Sequence, residues 1–190
     1  MGFRDSSEAA ARATDPDLEL VRAFASGQAD AFDQLYDQHN RFVYNACLGI
    51  LGDPDDARDA VQETFVQLWK SLPKFSGRSK FSTWLYRIAV NKCMDFLRGK
   101  PKWAGELPLD LPSDSGPRSD GLLEQQVRQT VLRLKPEYRA VMVLYYFQQL
   151  SYDEIAESLG CSFDQVRIRL YRARQAFRKL YTQGGVGSEV

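Results

Sequence analysis

Two capping boxes flank a single glycine between residues 151 and 165. Ser151-Tyr-Asp-Glu154 sets a hydroxyl three residues ahead of a carboxylate, and Ser162-Phe-Asp-Gln165 repeats the spacing with a carboxamide. In such a box the first side chain accepts from a backbone N–H of the new helix, and the second reaches back to the N–H of the first. Gly160 lies between the boxes and can supply the left-handed residue that ends a helix. The reading is a short helix ending at Leu159, a glycine turn, and a long helix running to about Tyr181. That succession is a helix-turn-helix, whose second helix enters the major groove of DNA with its first turns.

Stepping 100° per residue sorts the faces of the long helix. Val166, Leu170, Ala173 and Phe177 fall together and belong to a core. Asp164, Ile168, Tyr171, Arg172, Gln175, Arg178 and Lys179 fall opposite, flanked by Arg167, Arg169 and Arg174. Arginine can bond a guanine edge with two parallel hydrogen bonds, or clamp a phosphate. Gln165, Arg167, Ile168, Tyr171 and Arg172 are therefore candidates for base or groove contact, and Arg169, Arg174 and Arg178 for phosphates.

The formal net charge is zero, with 25 basic and 25 acidic residues, so the total offers no argument for a polyanionic partner. The distribution does. Asp53–Glu63 holds five acids against Arg58, whereas Arg167–Lys179 holds Arg167, Arg169, Arg172, Arg174, Arg178 and Lys179 and no acid. Segregated charge suggests two different partners. The cysteines, Cys47, Cys93 and Cys161, are odd in number and far apart, which argues for a reducing compartment and small core residues rather than a disulfide framework. No basic-then-apolar leader opens the chain, and the longest apolar run, Ala140–Phe147, is too short to span a bilayer. A cytoplasmic protein, not itself a membrane protein, is the expectation.

No strand-like alternation stands out, and helical periodicity recurs, so the fold class is all-α. A helix is expected over Leu18–Ala25, then one from Ala31 to Leu51 capped by Asp30, with Phe32, Leu35, Tyr36, Val43, Cys47 and Ile50 inward. Gly52 ends it. Asp53-Pro54 opens the next, with Ala57, Val61, Phe65, Leu68 and Leu72 inward and Pro73 at its end. After the loop Lys74–Lys80, Ser82 caps a helix to about Arg98. Residues 99–121, with four prolines and four glycines, read as a flexible linker. Helices over Leu123–Leu134 and Glu137–Gln149 then lead into the helix-turn-helix. The expected layout is a frayed N-terminus over 1–16, a first helical domain over 17–98, the linker, a second helical domain over 122–181, and a disordered tail over 182–190.

The first domain carries two candidate surfaces. On the helix Asp55–Leu72 the outward side holds Asp55, Asp59, Gln62, Glu63 and the apolar Val66. It is either a solvated acidic face or a docking surface for another protein. The loop and the next helix interleave Phe75, Arg78, Lys80, Phe81 and Trp84, and Trp84, Arg87, Asn91, Met94 and Arg98 share one stripe. Basic groups track phosphates while aromatic and amide groups receive unstacked bases, a combination suited to single-stranded or melting DNA. Phe81 and Trp84 could equally be core aromatics at a helix start.

Asp53-Pro-Asp-Asp-Ala-Arg-Asp-Ala-Val-Gln-Glu-Thr-Phe-Val-Gln-Leu-Trp69 and Phe81-Ser-Thr-Trp-Leu-Tyr-Arg-Ile-Ala-Val-Asn91 resemble the second conserved region of the bacterial extracytoplasmic-function sigma factors. Leu150-Ser-Tyr-Asp-Glu-Ile-Ala156 and Val166-Arg-Ile-Arg-Leu-Tyr-Arg-Ala-Arg174 resemble their fourth region. The resemblance runs from about Leu18 to Leu180 with the regions in order, and residues 99–121 are too few for the extra domain of larger sigma factors. It implies a subunit, monomeric when free, that binds core RNA polymerase and directs it to promoters, with no catalytic role and no cofactor or metal. Asp55, Asp59, Gln62 and Glu63 match the face that grips the clamp of the largest polymerase subunit. Phe75–Phe81, Trp84, Arg87 and Asn91 match the reader of the downstream promoter element. Arg167, Ile168, Tyr171 and Arg172 match the reader of the upstream duplex element. An anti-sigma factor, often membrane-bound, holds such proteins inactive until stress arrives. The chain departs from the family at Asp164-Gln165, where Gly-Thr is common, and at Ile168, where a small serine is common.

Two other classes have specific requirements. A stand-alone helix-turn-helix regulator would need a dimer to pair two half-sites. An enzyme would need a reactive constellation, and the single histidine, His39, has no cysteine or carboxylate cluster of metal spacing near it in sequence, nor is there a phosphate-cradling glycine loop. His39 reads as a surface or helix-packing residue.

Overall fold

The computed structural model describes residues 15–99 and 120–184, and among them every regular element is helical. The first module comprises α1 (Asp17–Ala25), α2 (Asp30–Leu51), α3 (Pro54–Ser71), a 3-10 turn (Leu72–Lys74) and α4 (Phe81–Gly99). The second comprises α5 (Asp120–Leu132), α6 (Pro136–Met142) continuing into a π turn (Val143–Phe147), α7 (Tyr152–Leu159) and α8 (Phe163–Gly184). The expected disorder of the first 14 residues, most of the linker (100–119) and the end of the tail (185–190) falls outside the described residues. Thr182–Gly184, expected in the tail, continue α8.

Local chemistry explains most helix ends. Asp53 caps α3, its carboxylate accepting from the N–H groups of Asp55 and Asp56 at 2.9 Å each, and Pro54 fills the first position, where no N–H is needed. Gly52 ends α2 at φ 81°. The cap expected from Asp30 does not form. The helix starts at Asp30 itself, and its first donors are taken by the preceding turn, Ala31 N–H to Gln28 O at 3.3 Å and Phe32 N–H to Ala29 O at 2.9 Å. Asp15, expected to fray, instead ties two helix starts together. Its carboxylate accepts from Asp17 N–H at 3.2 Å and from Phe81 N–H at 2.8 Å. Beside it, buried Asp17 bonds His39 Nε2 at 2.9 Å, and the imidazole rests on the Phe81 ring at 5.2 Å. His39 is thus a packing residue held by a carboxylate 22 positions away.

The helix expected to run to Gln149 stops at Met142 and widens into the π turn, and Gln149 takes φ 55°. A π turn fits an extra residue into the helix. Here Val143 and Leu144 are buried and Tyr146 and Phe147 are exposed.

Buried apolar residues of both modules form one continuous core, from Val21 and Leu35 through Val143 and Leu144 to Leu170 and Ala173. α2 meets α5, α6 and the π turn, and α4 meets α7. The two helical domains are thus present in the expected order, and the second is seated on the first. The approach is close enough that a Cβ on Gly49 would lie 2.9 Å from Val143 Cγ2. Polar groups cross the same boundary. Arg139 donates to Ile50 O at 2.5 Å, Tyr86 Oη to Gln148 Oε1 at 2.6 Å, and Ser158 Oγ to Thr83 O at 3.2 Å.

Gly160 sits at φ 61°, and a Cβ there would meet nothing closer than Arg87 Nη2 at 3.8 Å. Gly160→Ala should therefore cost only the left-handed backbone penalty, about 1–2 kcal/mol. Urea unfolding with an unchanged m-value should report it.

Candidate nucleic-acid interface

Both capping boxes are made. Ser151 Oγ accepts from Glu154 N–H at 3.3 Å while Glu154 Oε2 accepts from Ser151 N–H at 2.9 Å. Ser162 Oγ accepts from Gln165 N–H at 3.2 Å while Gln165 Oε1 accepts from Ser162 N–H at 2.9 Å. Gln165 thus commits its oxygen to the cap and leaves its amide N–H groups to face outward. Val166, Leu170 and Ala173 are fully buried, fixing the rotation of α8. The opposite face presents Arg167, Ile168, Tyr171 and Arg172, all exposed, with Tyr171 at 62%. Arg167 is steadied by Asp164 at 3.2 Å in the first turn. Arg178 is exposed and Arg169 half-buried.

Arg174, a candidate phosphate contact, is exposed and also packs within the second module. Its Nε donates to Tyr146 Oη at 2.8 Å, and its guanidinium lies 5.4 Å from the Tyr145 ring centre and 5.7 Å from that of Tyr146. The negative faces of two rings attract the cation, so Arg174 staples α8 to the π turn.

On the first module, Phe81 is 0% exposed and belongs to the core. Its ring is enclosed by His39, Phe75 and Trp84, so the base-stacking role is withdrawn. Phe75 and Trp84 are half-buried, with ring centres 4.8 Å apart and planes inclined by 32°. Arg78, Lys80, Arg87 and Asn91 are exposed around them. Lys80 Nζ reaches across to Glu154 Oε1 at 2.8 Å. Burial alone would raise the pKa of Glu154, but Lys80 and the Ser151 cap outweigh it and hold the carboxyl below its ordinary value. Tyr86, on the next face of α4, is pushed up to about 12 by burial and then by nearby Cys47.

The third surface lies on α3, where Asp55, Asp59, Gln62, Glu63 and Val66 are all exposed. Asp55 pairs with Arg58, and Glu63 with Lys92 at 3.1 Å. Gln62 and Val66 stand on a ridge between two depressions, lining both. The larger, about 740 Å³, runs between α2 and α3 over Tyr36, Phe65 and Trp69. Tyr36, expected inward, is 41% exposed because it lies across the Phe65 ring at 4.6 Å, outside the core. Trp69 is 47% exposed, edge-on to Phe24 and Phe32 at 4.8 Å each. The sequence reading did not single out either residue as surface. Their aromatic type suits a core stripe, and only the packed neighbours decide that they form the wall of a cleft.

Among the described residues no group of histidine, cysteine and carboxylate side chains could hold a metal ion, and no helix is long and apolar enough to cross a membrane.

Separating core from interface gives a direct check. Phe81→Ala should cost about 3–5 kcal/mol of stability, whereas Arg87→Ala should stay within roughly 0.5 kcal/mol of the parent. Paired urea titrations would measure both, and equal losses would contradict these placements.

Sigma-70 region 2 matches residues 35–102, and Sigma-70, region 4 matches residues 124–177. The ECF RNA polymerase sigma factor SigW of Bacillus subtilis is 34% identical over 176 residues, 84% of this chain and 93% of that protein. The RNA polymerase sigma-H factor of Pseudomonas aeruginosa is 32% identical over 178 residues, 86% of this chain and 92% of its own length. In structure, CnrH in complex with the cytosolic domain of CnrY matches with a TM-score of 0.69 at 30% identity, covering 88% of this chain and 97% of that one. RpoE of Bartonella quintana, in complex with the anti-sigma factor NepR, shares the fold with a TM-score of 0.66 at 20% identity over 80% of this chain and 96% of that one. With both regions in order and nearly whole relatives covered, the chain belongs to the ECF sigma factors of RNA polymerase.

Proposed function

We propose that this sigma factor divides promoter recognition among its three surfaces. The ridge on α3, with Asp55, Asp59, Gln62, Glu63 and Val66, docks on the clamp of the largest core polymerase subunit. The strip formed by Phe75, Arg78, Lys80, Trp84, Arg87 and Asn91 holds the downstream element as separated strand. The face of α8 with Gln165, Arg167, Ile168, Tyr171 and Arg172 reads the upstream element as duplex, while Arg169 and Arg178 hold phosphates. The observation that carries the reading is the division of α8. Its buried Val166, Leu170 and Ala173 force Arg167, Ile168, Tyr171 and Arg172 outward together.

Each role has its physical support. Docking on α3 is supported by an apolar Val66, 48% exposed among charges, beside an aromatic cleft. Strand capture is supported by aromatic faces ringed by cations. Ile168 offers an apolar contact to a thymine methyl, where serine would offer a hydroxyl. The work is that of an initiation factor, a binding role and not an enzymatic one, in the cytoplasm where polymerase acts. One chain carries both readers, so no dimer is required. CnrH is captured with the cytosolic domain of CnrY, and an anti-sigma partner is proposed here likewise, tying the chain to a stress or envelope response.

Transcription by core polymerase with and without the chain, on genomic fragments, tests the reading, and start-site mapping would give the promoters. No start on any fragment would refute it. Arg172→Ala should weaken promoter binding by about 1–3 kcal/mol and relax preference at one base pair, while Arg178→Ala should weaken all promoters alike and lower the salt slope by roughly 1. Titrating salt separates the two outcomes.

A further inference from the structure

α4 begins at Phe81, which makes Lys80 its cap residue: the carbonyl of Lys80 accepts the first helical bond, from Trp84 N–H at 3.2 Å. A lysine side chain cannot cap. Its ammonium only donates, and a cation at a helix N-terminus meets the positive end of the dipole. Serine, threonine, aspartate or asparagine ordinarily holds that position, and Ser82, expected in the role, lies inside the helix. The chain has placed a cation at the cap, within the strip proposed to hold the separated strand, and brought the acceptor from elsewhere. Asp15, 66 residues away, supplies it. Its Oδ2 accepts from Phe81 N–H at 2.8 Å while its Oδ1 accepts from Asp17 N–H at 3.2 Å.

The rest of α1 reinforces this tie. Buried Asp17 bonds His39, whose ring rests on Phe81, so Phe81 is held at both its N–H and its ring. Leu18 lies under the loop that precedes α4: a Cβ on Gly77, at φ 66°, would be 3.9 Å from Leu18 Cδ2. α1 also meets the 3-10 turn from which the loop departs. The loop carries Phe75, Arg78 and Lys80, and Phe75 and Phe81 set the Trp84 ring at 4.8 and 6.3 Å. We infer that Asp15 is a positioning residue for strand capture: its carboxylate caps α4 where Lys80 cannot, so the strip keeps a cation at the helix start while the loop and first turn stay ordered. Asp15 touches no DNA in this role. It acts through Phe81 on the placement of Lys80 and Trp84, and the inference rests on the proposed role of that strip.

Asp15→Ala removes the acceptor, and Asp15→Asn leaves one oxygen to it. In the full chain, amide hydrogen exchange at Phe81, read by NMR, should quicken roughly tenfold in Asp15→Ala, as a lost cap implies, and less in Asp15→Asn. With core polymerase on a mapped promoter, permanganate reactivity of thymines in the downstream element reads strand opening. Opening should slow several-fold in Asp15→Ala and recover in part in Asp15→Asn, while affinity for core polymerase and for the unopened duplex stays at the parent's level. Val43→Ala is the comparison for a purely structural loss. Val43 is buried on α2 and belongs to no proposed surface, so this variant should lower the Tm without slowing opening. Unchanged Phe81 exchange in Asp15→Ala overturns the cap. Faster exchange with unchanged opening overturns the positioning role, and so does equal slowing in Val43→Ala. If the exchange behaves as expected but no promoter opens with the parent chain either, the promoter reading fails and the cap stands.

Discussion

At the carbonyl end of α2, the Arg139 guanidinium, 8% exposed, donates to Ile50 O and to Leu134 O. The last turn of any helix leaves carbonyl groups without internal partners, and it carries the negative end of the helix dipole. A cation from α6 at that point joins the terminus of α2 to the end of α5 and sets where the second module begins. Burial holds the guanidinium below its ordinary pKa, since the charged form gives up water for carbonyl groups. Around this joint the Gly49–Val143 contact and the shared apolar core bring α7 onto α4. The relation between the two nucleic-acid surfaces thus follows from one helix end.

The second module depends in turn on aromatic packing around the π turn. Tyr145 meets Tyr146 at 4.8 Å and Tyr152 at 5.5 Å, and Tyr152 meets Phe163 at 5.5 Å. Arg174 closes the ring from α8. This cluster links α6, α7 and both ends of the first half of α8, so the exposed reading face is held by groups that do not themselves lie on it. The same surplus of rings on the first module, at Tyr36, Phe65 and Trp69, is left open as a cleft.

Short-range features were plain in the sequence. Asp53-Pro54, Gly52, the two capping boxes and Gly160 all act within a few residues, and each forms as read. The division of α8 into buried and exposed faces was equally legible, because period and burial agree there. The misreadings share a cause. Asp30 is a good cap by type, but a preceding turn supplied the acceptors first. Asp15 looked like part of a frayed end, yet its acceptor oxygen met the N–H of Phe81, 66 residues away. Phe81 and Trp84 have the same residue chemistry by type, and only neighbours separate a core ring from a half-open one.

By itself the sequence determined the helices, those of their ends that carry a local cap, the helix-turn-helix and the arginine face, since hydrogen-bonded caps and 3.6-residue periodicity are local. It also determined the order of the two regions and, through them, the family. Tertiary structure alone decided that the modules share one core, that Tyr86 and Thr83 are covered, and that Glu154 rests on Lys80. Those outcomes rest on surfaces meeting across 62 to 89 residues of chain, where no local pattern specifies which apolar face finds which.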